Sequence, residues 1–379
     1  MNQTTRAQDF TSRQAVLHLS FDLGWKEWKL AFGTEPGQRP RLRSVGAGDL
    51  TGLLQEIERA KQRFGLPPTS QVVSCYEAGR DGFWLHRFLR SQGIDNSVVD
   101  SSSIEVNRRA RKAKTDRLDA EKLLSQLIRF HQGEKALSVL RVPSPEQEDS
   151  RHGPRELSSL KEERTAHSNR IKSLLAGQGI RLEVNQDLLE QLEQARLWDG
   201  STVPVELKQR LQREHDRLAL LNQQIKELEK QRRQVVRAPQ EAAHQQVGAL
   251  LKLRGVGENS AWLLVREFFG WRRFHNGREL GALAGLAPMP HQSGDLDREQ
   301  GISKAGNRRV RTMLIEIAWG WVRFQPRSRL TLWFQQRYGP GNGRSRRVGI
   351  VAVARRLLIA LWRYLNQGMV PDGAEFKST

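Results

Sequence analysis

The stretch KTDRLDAE, residues 114–121, sets two aspartates three positions apart at the start of a predicted helix. Positions i and i+3 lie on one face of a helix, so the carboxylates of Asp116 and Asp119 point to the same side. Carboxylates that close repel each other unless a cation or a basic side chain compensates their charge. The stretch therefore indicates either a metal site or a helix start that pairs with nearby arginine and lysine side chains.

Two upstream segments have the pattern of buried strands that end at an acid. VLHLSFDLG, residues 16–24, contains Asp22 near its end, and VVSCYE, residues 72–77, ends at Glu77. The ends of strands are where α/β sheets place their sites. Four converging carboxylates suit two divalent cations, and hard oxygen ligands favour Mg²⁺. We therefore predict a site for two Mg²⁺ ions with four ligands: Asp22, Glu77, Asp116 and Asp119.

The composition points to a polyanionic partner. The chain has 62 lysines and arginines against 42 acids, a formal net charge of +20 over 379 residues. A basic excess of this size favours nucleic acid as the partner. A membrane is not an expected partner because no run of about 18 apolar residues occurs. The polar start of the chain lacks a secretory signal, and the single cysteine, Cys75, excludes a disulfide framework or a thiolate zinc cluster. We expect a cytoplasmic, nucleoid-associated bacterial protein.

The pattern along the chain predicts an α/β domain followed by helical regions. Residues 16–133 alternate strand and helix patterns, which indicates a mixed sheet covered by helices, and the VPSP linker that begins at residue 142 ends this domain. Leucines at heptad spacing in residues 157–174 and 207–235 predict two coiled-coil helices that form an antiparallel hairpin. We assign the domains as 1–142, 143–243 and 244–368, with a flexible tail at 369–379. The hairpin is expected to dimerise the protein, with direct nucleic-acid contact as the alternative.

Two motifs in the third region bear on function. LLKLRGVGENSA, residues 250–261, has the form of a helix-hairpin-helix, in which glycines allow a tight turn and the second helix offers N–H groups to a phosphate. A purely structural turn is the alternative. Further on, Ser293 lies in a predicted irregular loop ahead of a basic helix that begins GNRR at residue 306. Its hydroxyl could attack a phosphate held by arginine, and the alternative is a solvated turn.

The combination of motifs resembles the insertion-sequence-110/1111 transposases, which are DEDD-type recombinases guided by a bridge RNA and related to the Piv invertase. The motifs occur in the family's order and span most of the chain. They are the Asp22 strand, YEAG at 76–79, KTDRLDA at 114–120, GVG at 255–257, GLAP at 285–288, SG at 293–294, ISKAGNR at 302–308 and ARRL at 354–357.

The resemblance implies a RuvC-like, ribonuclease-H-type domain whose DEDD set falls on the four predicted Mg²⁺ ligands. It also implies a coiled-coil insertion and a C-terminal transposase domain whose nucleophile falls on Ser293. Family members act as tetramers, in which the RuvC-like domain of one subunit completes a site with the serine domain of another. They carry a structured RNA that pairs with donor and target DNA. The family loop often has two serines before the glycine, whereas Gln292 precedes Ser293 here, and Ser303 is a second choice of nucleophile.

The sequence thus predicts a transposase in which Ser293 attacks a DNA phosphodiester with the help of Mg²⁺. A phosphoserine link would conserve the bond energy, so that strands could be exchanged without ATP. The alternatives are a RuvC-like metal-dependent junction nuclease and a non-catalytic RNA-binding scaffold. The predicted nucleic-acid contacts are Lys112, Lys114, Arg254, Gly255, Gly257, Lys304, Asn307, Arg308 and Arg309.

Overall fold

The structure, a computed structural model, describes four stretches of the chain: residues 16–100, 103–104, 116–293 and 296–378. For residues 116–118, 290–293 and 296–300 it describes the backbone only. Lys112 and Lys114 lie outside the described residues. The chain divides into two compact units, Met1–Val142 and Pro143–Thr379, and this boundary falls at the VPSP linker. The further boundary predicted at residue 243 stays a prediction.

The first unit contains a five-stranded mixed sheet, which confirms the predicted class of sheet. Its strands are β1 Leu17–Leu23, β2 Glu27–Gly33, β3 Arg41–Gly46, β4 Val72–Glu77 and β5 Asp95–Val99. Their order in the sheet is β3-β2-β1-β4-β5. The central strand β1 runs antiparallel to β2 and parallel to β4, and β4 is parallel to β5. Because β1, β4 and β5 are parallel, their carboxyl ends share one edge of the sheet.

Helices cover both faces of this sheet. They are α1 Leu50–Arg63, α2 Trp84–Ser91 and α3 Asp116–His131. Successive side chains of a strand point to opposite faces. Leu19 and Phe21 of β1 therefore enter the core formed with α1 and α2. The alternate residues, Ser20 and Asp22 among them, face the side covered by α3, whose Ala120 accepts a hydrogen bond from Ser20.

The second unit begins with two long helices that pack against each other. Its first elements are α4 Pro145–Asp149, α5 His152–Ala176, α6 Leu188–Gln194 and α7 Val205–Arg237. Lys161 of α5 pairs with Glu229 of α7 at 2.6 Å. Further along α5, His167 contacts Glu214, which precedes Glu229 in α7, at 2.5 Å. The two helices therefore run antiparallel, as the heptad pattern predicts.

Polar side chains of the two helices also meet inside this hairpin. Glu214 is buried and accepts hydrogen bonds from His167 and, at 2.8 Å, from Arg170. Burial would raise the pKa of Glu214, but these hydrogen bonds hold it below its usual value. The carboxylate therefore stays charged within the hairpin because its partners lie on the opposite helix.

The rest of the second unit is a helical core that carries one β-hairpin. Its elements are α8 Ala242–Lys252, α9 Glu258–Leu264, a π-helical turn Val265–Phe269, α10 Gly277–Leu283, β6 Pro288–Ser293, β7 Leu296–Ile302, α11 Arg308–Phe324, α12 Arg329–Tyr338 and α13 Gly343–Gln367. Phe268, Leu314 and Trp321 are fully buried at the centre of this core. Within the described residues, no helix is long and apolar enough to cross a membrane.

The last residues of the chain pack against the rest of the second unit. The prediction of a flexible tail at residues 369–379 was therefore wrong for residues 369–378, which the structure describes. The backbone N–H of Arg254 donates to the carbonyl of Glu375 at 3.1 Å, and that of Lys377 donates to the last residue of α8 at 2.8 Å. The Glu375 carboxylate also accepts a hydrogen bond from Arg254 at 2.6 Å. The segment is polar because it forms these contacts with basic residues, and polarity alone could not distinguish them from solvation.

Candidate active site

Asp22 and Glu77 lie next to each other at the carboxyl edge of the sheet. The parallel register of β1 and β4 sets Phe21 opposite Tyr76. The residues that follow, Asp22 and Glu77, therefore continue the two strands side by side, at a strand spacing of about 4.8 Å. Phe21 and Tyr76 both belong to the core on the α1 and α2 side. Because side chains alternate, the two acids face the opposite side, where α3 packs.

Two contacts fix the direction of α3 relative to β1. The Ser20 hydroxyl donates to the carbonyl of Ala120 at 2.7 Å, near the start of α3. His18 Nε2 lies 2.9 Å from Nδ1 of His131, the last residue of α3. The helix therefore runs antiparallel to β1, and its first turn lies toward the end of the strand that carries Asp22.

The first turn of α3 contains the two aspartates that the sequence singled out. Asp116 begins the helix, and its side chain is outside the described part of the structure. Asp119 is partly exposed, with Oδ1 3.8 Å from Nζ of Lys122. Among the side chains that the structure describes, no three His, Cys, Asp or Glu groups lie close enough to hold a metal ion. The four-carboxylate site therefore stays a prediction, although its backbone positions gather at one edge.

A histidine pair at the other end of β1 and α3 makes the first unit sensitive to acid. His18 is 4% exposed, and burial together with the neighbouring His131 lowers its pKa from 6.5 to about 4. In the unfolded chain the His18 imidazole takes up a proton below about pH 6.5, whereas in the folded chain it does so only near pH 4. Acid therefore lowers the free energy of unfolding. We expect a loss of roughly 2 kcal/mol from His18 between pH 7 and pH 5. Urea unfolding followed by circular dichroism measures it.

The variant His18→Gln isolates this contribution from other titrating groups. Glutamine has a nitrogen that can contact His131 but no proton to gain in this pH range. As the pH falls, the wild type should therefore lose unfolding free energy that His18→Gln retains. An equal pH dependence of the two proteins would contradict the assignment.

Ser293 is the last residue of strand β6, where it pairs with Leu296 of β7. The prediction of an irregular loop at this position was wrong, because Ser293 lies near the tip of a β-hairpin. A signal for this was present in the sequence, since Gly294-Asp295 is a dipeptide typical of two-residue hairpin turns. The register of the hairpin sets the backbone of Ser293 opposite Leu296.

The two motifs that flank the hairpin bond to each other at its base. The N–H of Ser303 donates to the carbonyl of Ala287 at 2.8 Å, and the N–H of Asn307 donates to the carbonyl of Leu283 at 2.9 Å. Between them, the N–H of Lys304 donates to the carbonyl of Gly285 at 3.2 Å. The GLAP and ISKAGNR motifs therefore form one backbone clamp that joins the hairpin to α11.

Two glycines allow the strands of this clamp to approach closely. Gly306 has φ +91°, and a Cβ there would lie 2.2 Å from the carbonyl oxygen of Leu283. Gly285 has φ +68°, and its Cβ would lie 2.1 Å from the carbonyl oxygen of Ala305. Real Cβ atoms do not approach backbone atoms this closely, so neither position accepts a side chain without a shift of the backbone.

The substitution Gly306→Ala is expected to destabilise the second unit by about 2–5 kcal/mol, because it adds a backbone clash to an unfavourable φ. The corresponding fall in melting temperature is roughly 5–15 °C by calorimetry. Gly301→Ala is the matched control, because Gly301 has φ +88° with no atom within 4 Å of its Cβ position. Equal effects of the two variants would show that φ strain alone, and not the clamp, determines the cost.

Asn307 joins the clamp to the start of α11. Its Oδ1 accepts hydrogen bonds from the N–H groups of Arg309 and Val310, at 3.0 and 3.2 Å. Its Nδ2 donates to Oε2 of Glu267 at 3.2 Å. Asn307 therefore caps α11 and also ties its start to Glu267. Arg308 and Arg309 are exposed on the first turn of α11.

Glu267 is a buried acid at this site that the sequence analysis missed. It lies in the π-helical turn and accepts two hydrogen bonds from Arg155, at 2.6 and 3.0 Å. Burial would raise the pKa of Glu267, but the bonds from Arg155 and Asn307 lower it overall. The only sequence signal was an Arg-Glu pair within the otherwise apolar segment VREFF, and π-helical turns often mark functional regions.

The predicted helix-hairpin-helix lies at the other end of α11. Helices α8 and α9 join through a turn in which Gly255 has φ +82° and lies against the backbone of Gly320. Asn307 and Gly320 are 13 residues apart, about 20 Å along the helix axis. The predicted contacts therefore fall into two groups, with Arg254, Gly255 and Gly257 at one end of α11 and Lys304, Asn307, Arg308 and Arg309 at the other.

Comparison with known proteins identifies relatives along nearly the whole chain. Residues 247–332 match the family described as transposase IS116/IS110/IS902. The chain is 43% identical to the putative transposase y4rJ of Sinorhizobium fredii, over 96% of this chain and 95% of that protein. It is 30% identical to the putative transposase y4qE of the same organism, over 77% of this chain and 68% of the relative. With the transposase for insertion sequence element IS1111A of Coxiella burnetii it shares 25% identity over 63% of each chain.

Proposed function

Because this chain belongs to the IS116/IS110/IS902 family of insertion-sequence transposases, it acts on DNA, and we propose that it cuts and rejoins DNA through a serine nucleophile assisted by Mg²⁺. The observation that carries the proposal is the arrangement at the sheet edge. Asp22 and Glu77 end neighbouring parallel strands, and α3 brings its first turn toward them. The proposal assigns the first unit as a RuvC-like domain with a DEDD set of acids.

The donor groups at this edge fit a hard divalent cation. Asp22, Glu77, Asp116 and Asp119 offer carboxylate oxygens only, and Mg²⁺ prefers oxygen ligands. Mg²⁺ bound there would withdraw charge from a phosphodiester and stabilise the leaving oxygen. The role of the protein is to hold the acids in place, which the Ser20 contact to Ala120 does by fixing α3 on β1.

The proposed reaction conserves the number of phosphodiester bonds. The Ser293 hydroxyl loses its proton and its oxygen bonds to phosphorus, while the bond from phosphorus to one DNA oxygen breaks. That oxygen gains a proton and becomes a free DNA hydroxyl. In the second step, the hydroxyl of another strand attacks the phosphoserine, restores the serine and reseals the DNA. No ATP is needed because each step exchanges one phosphate ester for another.

We also propose that a bridge RNA selects the donor and target DNA and that the active assembly is a tetramer. The net charge of +20 supports binding of nucleic acid. The antiparallel hairpin of α5 and α7 is the proposed element for assembly. Sequencing of the RNA that co-purifies with the protein tests the first point, because a guide must contain segments that pair with both DNA partners.

Trapping of the covalent intermediate tests the proposal directly. The full chain with its co-purified RNA is incubated with DNA that carries the ends of its insertion sequence, with Mg²⁺ or with EDTA. The proposal expects a Mg²⁺-dependent protein–DNA adduct on a denaturing gel, with the modified peptide containing Ser293. Cleavage without an adduct would favour the junction nuclease. Binding without any cleavage would favour the RNA-binding scaffold.

A further inference from the structure

A cleft of about 860 Å³ opens in the second unit between α5, α7, α9 and α11. This volume is within the range of sites that enclose small ligands or fragments of larger ones. Its polar lining combines guanidinium groups with hydroxyls, both of which bind phosphate oxygens in nucleic-acid complexes. These groups belong to Arg232, Arg308, Arg309, Ser158, Ser159 and Thr312.

Arg232 is the unusual member of this lining. Its side chain is only 8% exposed, and this burial lowers the pKa of the guanidinium, although the charges of Glu258 and Glu229 act in the opposite direction. Glu229 itself pairs with Lys161 at 2.6 Å. Nη1 donates to Oδ1 of Asn259 at 3.3 Å, and the guanidinium lies 5.7 Å from the ring centre of Trp262. Nη2 has no hydrogen-bond partner within the part of the chain that the structure describes. A buried N–H donor of this kind is costly unless a ligand satisfies it.

The other side of the cleft has the geometry of an anion site. Arg308 and Arg309 stand on the first turn of α11, a helix of 17 residues whose positive end favours a negative charge. Asn307 already caps the N–H groups of Arg309 and Val310, so side chains and not free backbone groups are the available donors. Glu162 and Glu316 also line the cleft, but both are exposed at its rim.

We propose that this cleft binds a backbone phosphate of the protein's nucleic-acid partner, with Arg232 as the buried donor and Arg308 and Arg309 as the outer charges. A phosphate oxygen would take the unused Nη2 bond of Arg232. The phosphodiester chemistry is the same in DNA and RNA, so the cleft does not by itself choose between them. The lining residues include neither Ser293 nor any of the four predicted metal ligands, and the proposed role of the cleft is binding.

Anisotropy measurements with the full chain test the proposal. The probes are a labelled single-stranded RNA, a single-stranded DNA and a DNA duplex of matched sequence, titrated over a series of salt concentrations. Arg232→Gln should weaken binding of at least one probe on the order of 10–100-fold and lower the salt slope by about one. The probe that loses affinity identifies which nucleic acid occupies the cleft.

Arg233→Gln is the matched control, because Arg233 is the next residue of α7, carries the same charge and is exposed. If the two variants weaken binding equally for every probe, the effect is that of losing any one positive charge, and the proposal is wrong. The covalent-adduct assay is independent of this outcome, because a wild-type adduct reports on Ser293 and not on the cleft.

Loss of a buried arginine can also impair folding, and a second variant keeps the test decisive. Thr312 lines the cleft from the exposed face of α11, so Thr312→Glu adds a negative charge there without disturbing the core. We expect Thr312→Glu to weaken the same probe by at least about tenfold through repulsion of the phosphate. Unchanged affinity for all probes would overturn the proposal, whatever the behaviour of Arg232→Gln.

Discussion

Replacing Ser293 with alanine is expected to abolish the covalent protein–DNA adduct and to reduce strand exchange by at least about 10³-fold. The reason is that the hydroxyl is the proposed atom that bonds to phosphorus, and alanine has no substitute for it. Binding of DNA should stay within about threefold of the wild type, because the hydroxyl contributes little to phosphate affinity beside the basic residues. A denaturing gel and a plasmid recombination assay measure the two effects.

The control for this variant is Ser303→Ala. Ser303 holds the clamp through its backbone N–H, which the substitution retains, and its hydroxyl has no hydrogen-bond partner among the described residues. We therefore expect Ser303→Ala to form the adduct normally. If Ser303→Ala loses the adduct and Ser293→Ala keeps it, the nucleophile is Ser303 and the assignment to the hairpin is wrong.

The local pattern of the sequence was sufficient for the elements that bring the acids together. The strands that carry Asp22 and Glu77 are short, mostly apolar segments, and each acid is the first acidic residue of its segment and lies near its end. The start of α3 was evident because Asp116 and Asp119 lie at helical spacing. The direction of α3 was not evident, since it depends on contacts such as Ser20 to Ala120, which are 100 residues apart.

The features that sequence analysis missed depend on partners that are distant along the chain. Glu267 was an isolated acid until the fold brought Arg155 to it from 112 residues away. The terminal segment was assigned as flexible because its polar residues have no local partners, whereas Glu375 meets Arg254 across 121 residues. Composition and periodicity describe neighbours in sequence, so they cannot indicate which buried charge will find a partner.

The clamp shows how a motif can be recognised correctly and still be explained only by the structure. The glycines of GLAP and ISKAGNR were evident as motif residues, but nothing in the sequence related one motif to the other. In the fold, Gly285 lies against the backbone of Ala305 in the ISKAGNR motif, and Gly306 lies against the backbone of Leu283, two residues before the GLAP motif. The need for glycine is therefore reciprocal, and it links the position of the hairpin bearing Ser293 to the capped start of α11.

Replacing Asp22 with asparagine should reduce Mg²⁺-dependent cleavage by at least about 10³-fold while DNA binding persists. A neutral amide keeps the size of the side chain but removes the charge with which a carboxylate holds a divalent cation, and metal stabilisation of the transition state amounts to several kcal/mol. Glu77→Gln should have the same effect, because the two acids end adjacent strands on the same face. Cleavage of DNA carrying the ends of the insertion sequence, with and without Mg²⁺, measures it.

Asp95→Asn provides the matched control for this prediction. Asp95 begins β5 and lies opposite Val73 in the parallel register, so it is at the amino ends of the strands, away from Asp22 and Glu77. The control should cleave like the wild type. A second readout is thermal stability, because a bound ion stabilises the folded chain, and Mg²⁺ should raise the melting temperature of the wild type and of Asp95→Asn but not of Asp22→Asn. If Asp22→Asn cleaves DNA normally, the carboxyl edge of the sheet is not the metal site, and the adjacency of the two acids has another cause.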